Sequence, residues 1–438
     1  TYQLERVIDK AARELGLDPI ALRRQNFVTE FPYATPVAVE YDSGDFHRLM
    51  DKLESRADFD GFAARRSASA KNGKLRGLGL NCFHEARGPA PAPPLPPLPP
   101  PPAAHGGPFG KALLRAAFED FRVTEIMKVV PEGEGEHLWL EIEKTDWNTE
   151  DVALWLAKQA GIHRLAVGYS GLKDRRAVTR QWFSLHLPGK PDPEFAWPPG
   201  LTVLRARRHR RKLNRGTHRG NRFEIVLREL DVDREALERT LHTLSERGVP
   251  NYFGEQRFGR GGGHWERGQA WLLGGEAPRK RALRGIWLSA VRSGLFNRVL
   301  AERVREGVWD RPLDGDILQP RDSRGLFEAD QDANAGARMA AGEVHPTAPL
   351  PGKAGMASSA ACRQLEARAL SGCDALIEAL AGEGVDAARR ATRLPVDGLQ
   401  WAWGEGDVLT LGFDLPTGAF ATTVLAELVE TRTPANDN

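Results

Sequence analysis

The stretch GPAPAPPLPPLPPPPAAHGGP, residues 88–108, constrains this chain more than any other. Proline fixes φ and has no N–H to donate, so consecutive prolines are excluded from helix interiors and central strands and favour polyproline II. Such a run predicts a stiff tether with a folded unit on each side. A ligand for a proline-reading domain is the alternative, although nothing else in the chain points to signalling. At 438 residues there is room for both units.

Hydrophobic residues make up 41% of the chain, enough for real cores. No apolar run approaches the ~20 residues of a membrane helix. The opening TYQLERVIDK is polar and charged, unlike a secretory signal. Cys82, Cys362 and Cys373 are scattered and odd in number, which fits a reducing, cytoplasmic compartment; a monomer is the expected state. No CxxC, HExxH, Walker or GxGxxG spacing occurs, and no metal or cofactor is expected. The first residue is Thr1 and the first methionine Met50, as in a segment of a longer reading frame or a chain whose start is missing.

Before the tether, LERVIDKAARELGLDPIALRRQNF sets Leu4, Val7, Ile8, Ala11 and Leu15 at helical spacing, then breaks at LDP into a second short helix. With FPYATPVAVEYDSGDF, DFDGFAARR and LRGLGLNCFHEARG, it resembles an interior slice of the large molybdopterin-binding subunit of the aldehyde oxidase and xanthine dehydrogenase family. The resemblance spans about residues 1–88 and lacks that family's cofactor-contacting and catalytic segments. It implies a non-catalytic fragment, with Glu85 structural.

After the tether the pattern is α+β. HLWLEIE alternates as a half-buried strand, and NTEDVALWLAKQAGI reads as a helix capped by Asn148. RLAVGYS, QWFSLHL and RFEIVLREL read as strands, and DREALERTLHTLSERG as a helix ended by Gly248 and Pro250. Residues 320–360 read as loops with short helices.

VGYSGLKDRRAVTRQWFSLHL places Asp174 among Lys173, Arg175 and Arg176 on a loop between two strands, introduced by Gly171. Loops on a rigid scaffold are where catalytic groups are held. The cationic neighbours are expected to favour the ionised carboxylate, which suits a nucleophile or base better than an acid. The residues alone leave a structural ion pair open. Net charge is only +2, yet residues 205–222, RARRHRRKLNRGTHRGNR, are rich in arginine and hold no acid. Such a block contacts phosphates or is simply solvated.

GLKDRRAVTRQWFSL and PNYFGEQRFGRGG resemble the TruD family of tRNA pseudouridine synthases. So do FEDFRVTEI, GEGEHLWLEIEKTDWNTEDVA, RKLNRGTHRGNRFEIVLRE, WLSAVRSGLFNRVLAERV and LPTGAFATTVLAELV, in the family's order over about 109–433. The resemblance implies an α+β fold, a pseudouridine synthase catalytic domain with a mixed, mainly antiparallel sheet and an inserted α+β domain. The expected boundaries are 1–88 for the appendage, 89–108 for the linker, 109–255 plus 394–433 for the catalytic domain and 256–393 for the insert. It implies isomerisation of a uridine, position 13 in the family's usual tRNA target, to pseudouridine without cofactor or metal.

The family's indispensable aspartate falls on Asp174, the basic residue pairing with it on Lys173, and the aromatic residue against the target base on Phe223. Asn221 would shape the pocket, and Asn251, Phe253, Gln256 and Arg257 would line the site or touch RNA. Arg175, Arg176, Arg207, Arg208, Arg210, Arg211 and Lys212 would hold RNA phosphates. Phe223, Phe253 and Phe258 are also readable as core, and Phe121 and Glu125 as sheet support. A target base in folded RNA must be flipped from its stack, at roughly a few kcal/mol, offset by phosphate and aromatic contacts. The rival readings are a non-catalytic RNA-binding protein and a molybdenum hydroxylase component. Residues 1–108 are expected to be dispensable for activity.

Overall fold

The structure, a computed structural model, describes residues 2–34, 40, 41, 43–80, 82 and 95–434. They fall into two compact units, Thr1–Ala90 and Pro91–Asn438. Glu85 and residues 88–94 lie outside the described residues. Among the described residues no helix is long and apolar enough to cross a membrane.

The first unit consists of α1 (Tyr2–Leu15), α2 (Pro19–Gln25), a short pair β1 (Tyr33–Ala34) and β2 (Glu40–Tyr41), α3 (Phe46–Ala57) and α4 (Phe62–Lys71). The LDP break works as expected: the Asp18 carboxylate accepts from the Ile20 and Ala21 amides, and Pro19 opens α2. The buried Arg23 reaches Glu5 at 2.7 Å and Asp9 at 2.9 Å, and Arg24 ties α2 to Asp51 and Glu54 of α3. The helical spacing in α1 is not matched by burial, since Val7 and Leu15 are 62% and 66% exposed. Four short helices have too little area to cover every apolar stripe, and ion pairs carry much of this unit.

The second unit runs β3 (Gly110–Leu114), β4 (Phe121–Met127), β5 (His137–Thr145), α5 (Thr149–Gln159), β6 (Val167–Tyr169), β7 (Val178–His186), β8 (Leu201–His209), β9 (His218–Val232), α6 (Arg234–Arg247) and β10 (Val249–Pro250). It continues through α7 (Gly263–Leu272), α8 (Arg281–Arg305), β11 (Ile317–Pro320), β12 (Phe327–Glu328), α9 (Ala335–Ala340), β13 (Val344–Leu350), α10 (Ala360–Ala369), α11 (Asp374–Gly382), β14 (Ala388–Ala391) and β15 (Arg393–Leu394). It closes with β16 (Asp397–Trp403), β17 (Leu409–Pro416), α12 (Ala421–Ala426) and β18 (Glu430–Arg432).

Among the described residues, ten strands form one mixed sheet with the path β16-β17-β9-β4-β7-β5-β8, and β3, β6 and β18 join from outside it. Only β4 with β7 and β18 with β3 run parallel. Strand alternation gives the sheet two unlike faces. On one, Val123 of β4 lies between Thr179 of β7 and Phe223 of β9. Two apolar cores cover that face. One packs Leu140, Ile142 and Phe183 against Val152 and Leu156 of α5. The other packs Phe223, Ile225 and Phe413 with Leu237 and Leu241 of α6 and Val424 of α12. Between them runs a buried polar strip of Lys144, Thr179, Gln181 and Glu125.

A second assembly has the sheet order β12-β11-β13-β14, with α8 at its centre and a fully buried Arg303–Asp316 pair at 2.7 Å. β13 corrects the loop expectation for residues 320–360. VHPTAPL is an inner strand bonded on both sides, and Pro346 and Pro349 mask it, because prolines in sequence argue against a central strand.

The tether, too, differs from expectation. Residues 95–108 hold no helix or strand, as the prolines require, yet they are not a free spacer. Leu95, Leu98 and Ala104 pack on the core around α8. The Leu95 amide donates to Gln269 Oε1 at 2.8 Å, and the Ala104 and His105 amides donate to the buried Glu427 carboxylate. Polyproline II leaves apolar sides and remaining amides free to dock, so this stretch is a strap on the second unit.

Candidate active site

The loop between β6 and β7 lies over the polar strip, and its backbone is anchored at three residues. Gln181 Nε2 donates to the Gly171 carbonyl at 3.2 Å, and the Lys173 amide donates to Thr149 Oγ1 at 2.9 Å. Thr149 in turn donates to Gln181 Oε1 at 2.8 Å. Lys144 Nζ donates to the carbonyls of Asp174 at 2.8 Å and Trp147 at 2.6 Å. Lys144 is fully buried, and burial pushes its ammonium down to about 8. Glycine at 171 keeps the turn close to β9, since a Cβ there would come 3.1 Å from the His218 ring. His218 donates its amide to Ser170 Oγ at 2.8 Å, and burial, reinforced by the charge of Lys173, lowers its pKa.

On this fixed backbone the Asp174 carboxylate is 47% exposed, and its Oδ2 lies 2.5 Å from Arg115 Nη2. Arg115 follows β3 in a positive-φ turn (φ 61°), and its guanidinium sits 4.0 Å over the Phe121 ring. The cation on Asp174 therefore comes from 59 residues upstream.

That corrects the sequence reading of the basic loop. Lys173 does not pair with Asp174; its ammonium meets Glu125 at 2.7 Å, both side chains being buried. Arg175 pairs with Asp146 at 2.8 Å, and Arg176 is half-buried. Successive side chains leave a loop in different directions, so neighbours in sequence are not neighbours in charge. Glu125 also accepts the Trp182 amide at 3.0 Å, and so does more than support the sheet.

Phe223 is 7% exposed, with Phe121 edge-on at 6.1 Å and Phe413 stacked at 5.6 Å. It is a core residue with little of its surface exposed. Asn221, two residues earlier on the same face, stands opposite Glu125. Its Oδ1 and the Thr179 Oγ1 are buried without a hydrogen-bond partner, which leaves two polar atoms for a ligand to satisfy.

Asn251, Phe253, Gln256 and Arg257 gather elsewhere. No hydrogen bond, ion pair or ring contact joins them to Asp174 among the described residues. Asn251 Nδ2 donates to the Ala391 carbonyl at 2.8 Å, Phe253 meets Phe296 edge-on at 5.4 Å, and Gln256 is exposed. Phe258 is core.

The basic run is partly spoken for. Arg208 pairs with Asp192 at 2.5 Å, Arg210 with Glu132 and Glu134, and Lys212 Nζ donates to the Leu165 carbonyl at 2.5 Å. Arg207 and Arg211 are exposed and have no acid partner among the described residues. Arg207 lines a groove of about 600 Å³ with Thr124, Trp182, Arg205, Arg219 and Arg222. Thr124, Trp182 and Arg222 belong to the sheet face opposite Phe223.

Sequence reading missed Arg115, Lys144 and Thr179 as parts of the site. Lys144 left a signal: it continues the inward series Leu138, Leu140, Ile142, where a lysine needs a special partner.

A family profile described as tRNA pseudouridine synthase D (TruD) matches residues 106–270 and 278–428, all in the second unit. The tRNA pseudouridine synthase D of Azotobacter vinelandii (strain DJ) is 48% identical over 332 residues, 75% of this chain and 94% of its own. That of Pseudomonas aeruginosa (strain LESB58) is 48% identical over 332 residues, 75% and 93% of the two chains. That of Pseudomonas putida (strain W619) is 46% identical over 331 residues, 75% and 94%. A Methanosarcina mazei crystal structure assigned to tRNA pseudouridine synthase D superposes with a TM-score of 0.63 at 23% identity, covering 75% of this chain and 95% of the other, a likeness of fold.

Proposed function

The chain belongs to the TruD family of tRNA pseudouridine synthases, and from that premise we propose that it isomerises uridine 13 of tRNA with Asp174 as the nucleophile. In the reaction the bond from uracil N1 to the sugar C1′ breaks, the base turns, and C5 bonds to C1′. C5 gives up a proton and N1 gains one, so nothing is added and no cofactor is required. One observation carries the assignment. Asp174 has its backbone carbonyl held by Lys144 at 2.8 Å, its carboxylate aimed by Arg115 at 2.5 Å, and its side chain open to an incoming nucleotide. A nucleophile works best when its geometry is set before the substrate arrives.

The neighbouring parts then take roles. Asn221 Oδ1 accepts from the uracil N3–H, and the Thr179 hydroxyl meets a uracil carbonyl, so both orphaned atoms gain partners. Phe223, stiffened by Phe121 and Phe413, packs the small part of its ring left exposed against the flipped base. Lys173 acts through its buried pair with Glu125, as a positioning residue for the loop. Arg207 and Arg211 hold RNA phosphates, and the enzyme works in the cytoplasm alongside its substrate.

The test is an unmodified tRNA transcript incubated with the full chain or with Asp174→Asn, followed by carbodiimide mapping and primer extension. A stop at uridine 13 with the unaltered chain alone is expected. RNA bound by both proteins with no stop from either would leave a binding protein with a structural ion pair.

A further inference from the structure

Several buried and half-buried arginines in the second unit are held by a carboxylate or by two or more backbone carbonyls. Arg303 has Asp316 and Arg389 has Glu366. Arg292 donates to the carbonyls of Leu350, Pro351 and Asp386, and Arg393 to those of Glu246, Arg247 and Met339. Arg257 and Arg390 share one ring and have no such set of partners among the described residues. Arg390 Cζ lies 4.3 Å and Arg257 Cζ 5.3 Å from the Phe253 centroid. Arg390 bonds only to Asn251, Nη2 to Oδ1 at 2.5 Å and Nε to the carbonyl at 3.4 Å. Arg257 bonds only to Ser289 Oγ at 3.2 Å, and its Nε is buried with no partner. Neither has a carboxylate in reach among the described residues.

Each guanidinium carries five donors in a planar fork that fits phosphate oxygens. Most of those donors are unused here. Two like charges withdrawn from water without an acid are unfavourable unless an anion joins them. Burial, and then the charge of Arg257, pulls Arg390 down to about 10, so it remains a cation at neutral pH. Asn251 holds Arg390 while its own amide is fixed on Ala391, so the fork is set in advance.

We propose that Arg257 and Arg390, braced by Phe253 and Asn251, clamp one backbone phosphate of the bound tRNA. The clamp rests on the tRNA reading above and extends it to a contact made away from Asp174.

Two variants of the full chain, Arg390→Gln and Arg390→Lys, test this by tRNA affinity across a salt series and by heat unfolding. Arg390→Gln is expected to bind tRNA about 10-fold more weakly, with a log Kd against log salt slope smaller by about one phosphate. It is also expected to melt at or above the temperature of the unaltered protein, because a repelling buried cation is gone. Arg390→Lys keeps the charge, so it should retain the slope and part of the affinity. Inorganic phosphate should raise the melting temperature of the unaltered protein and not that of Arg390→Gln.

Unchanged affinity and slope in Arg390→Gln, with tRNA still converted by the unaltered chain, would remove the clamp and leave the synthase reading standing. The same follows if phosphate stabilises the protein while tRNA affinity is indifferent to Arg390. Lower melting temperatures in both variants, in step with lost affinity, would make Arg390 a structural brace. An unaltered chain that cannot convert tRNA sinks the synthase reading and the clamp together.

Discussion

Arg115 and Asp174 meet at 2.5 Å across 59 residues of sequence, and the arginine is held in place by the ring of Phe121 beneath it. Replacing Arg115 by methionine keeps the stem on Phe121 but frees the carboxylate. A charge-assisted hydrogen bond contributes about 1.5–3 kcal/mol, so the single-turnover rate of pseudouridine formation should fall roughly 10- to 100-fold. Arg115→Lys should lie between, since it keeps the charge and loses the fork. An Arg115→Met rate equal to the original would show that the contact is not used in the reaction.

Lys144 gives a pH signature. Its pKa is about 8 in the folded chain and that of an ordinary lysine when unfolded. Below pH 8 both states are protonated and the burial penalty is present in full. As pH rises from about 8 toward 10.5 the unfolded chain still binds the proton and the folded one does not, so stability rises. Against Lys144→Met, the unaltered protein should gain on the order of 2–3 kcal/mol over that window in urea unfolding. Lys144→Met should also lose activity while folded, because the Asp174 carbonyl is released. Parallel stability curves for the two proteins would contradict this account.

His345 works at the acid end. It is buried in β13 with both ring nitrogens unpartnered, and burial lowers its pKa to about 4. An unfolded histidine titrates near 6.5, so between about 6.5 and 4 the unfolded chain takes up the proton first and stability falls with pH. The loss is on the order of 3 kcal/mol. His345→Leu should flatten that part of the curve, and a denaturation series from pH 7 to 4 checks it.

The strap moves the point at which the chain can be shortened. A chain beginning at residue 109 leaves the buried Glu427 carboxylate without the Ala104 and His105 amides. Burial already raises the Glu427 pKa against those bonds. A chain beginning at residue 91 should keep stability and turnover, whereas one beginning at 109 should lose about 1–3 kcal/mol. Equal melting temperatures for the two truncations would show that the strap adds nothing.

The strands and helices around Asp174 were legible because their signals are local. HLWLEIE reads as a strand and is one, although with Trp139 and Glu141 also buried it is covered on both faces and not half-buried as expected. Gly248 ends α6 with φ 71°, and Gly171 opens the loop. The ion pairs of the site were not legible, because they are set by sheet order. β4 lies between β9 and β7, which brings Glu125 to Lys173, and the turn after β3 brings Arg115 to Asp174. Charge adjacency in KDRR suggested partners that the backbone directs elsewhere. β13 was hidden for a simpler reason, two prolines in an inner strand.

β8 ends the large sheet, so one row of its amides and carbonyls has no neighbouring strand. Its exposed outer residues include Arg205 and Arg207. If two copies of the chain met edge to edge in the antiparallel register centred on Ala206, Arg205 of each copy would face Arg207 of the other, and like charges directly opposite disfavour the contact. The arginines of this strand thus guard its edge against self-association, and neutralising them would leave a chain more prone to aggregate.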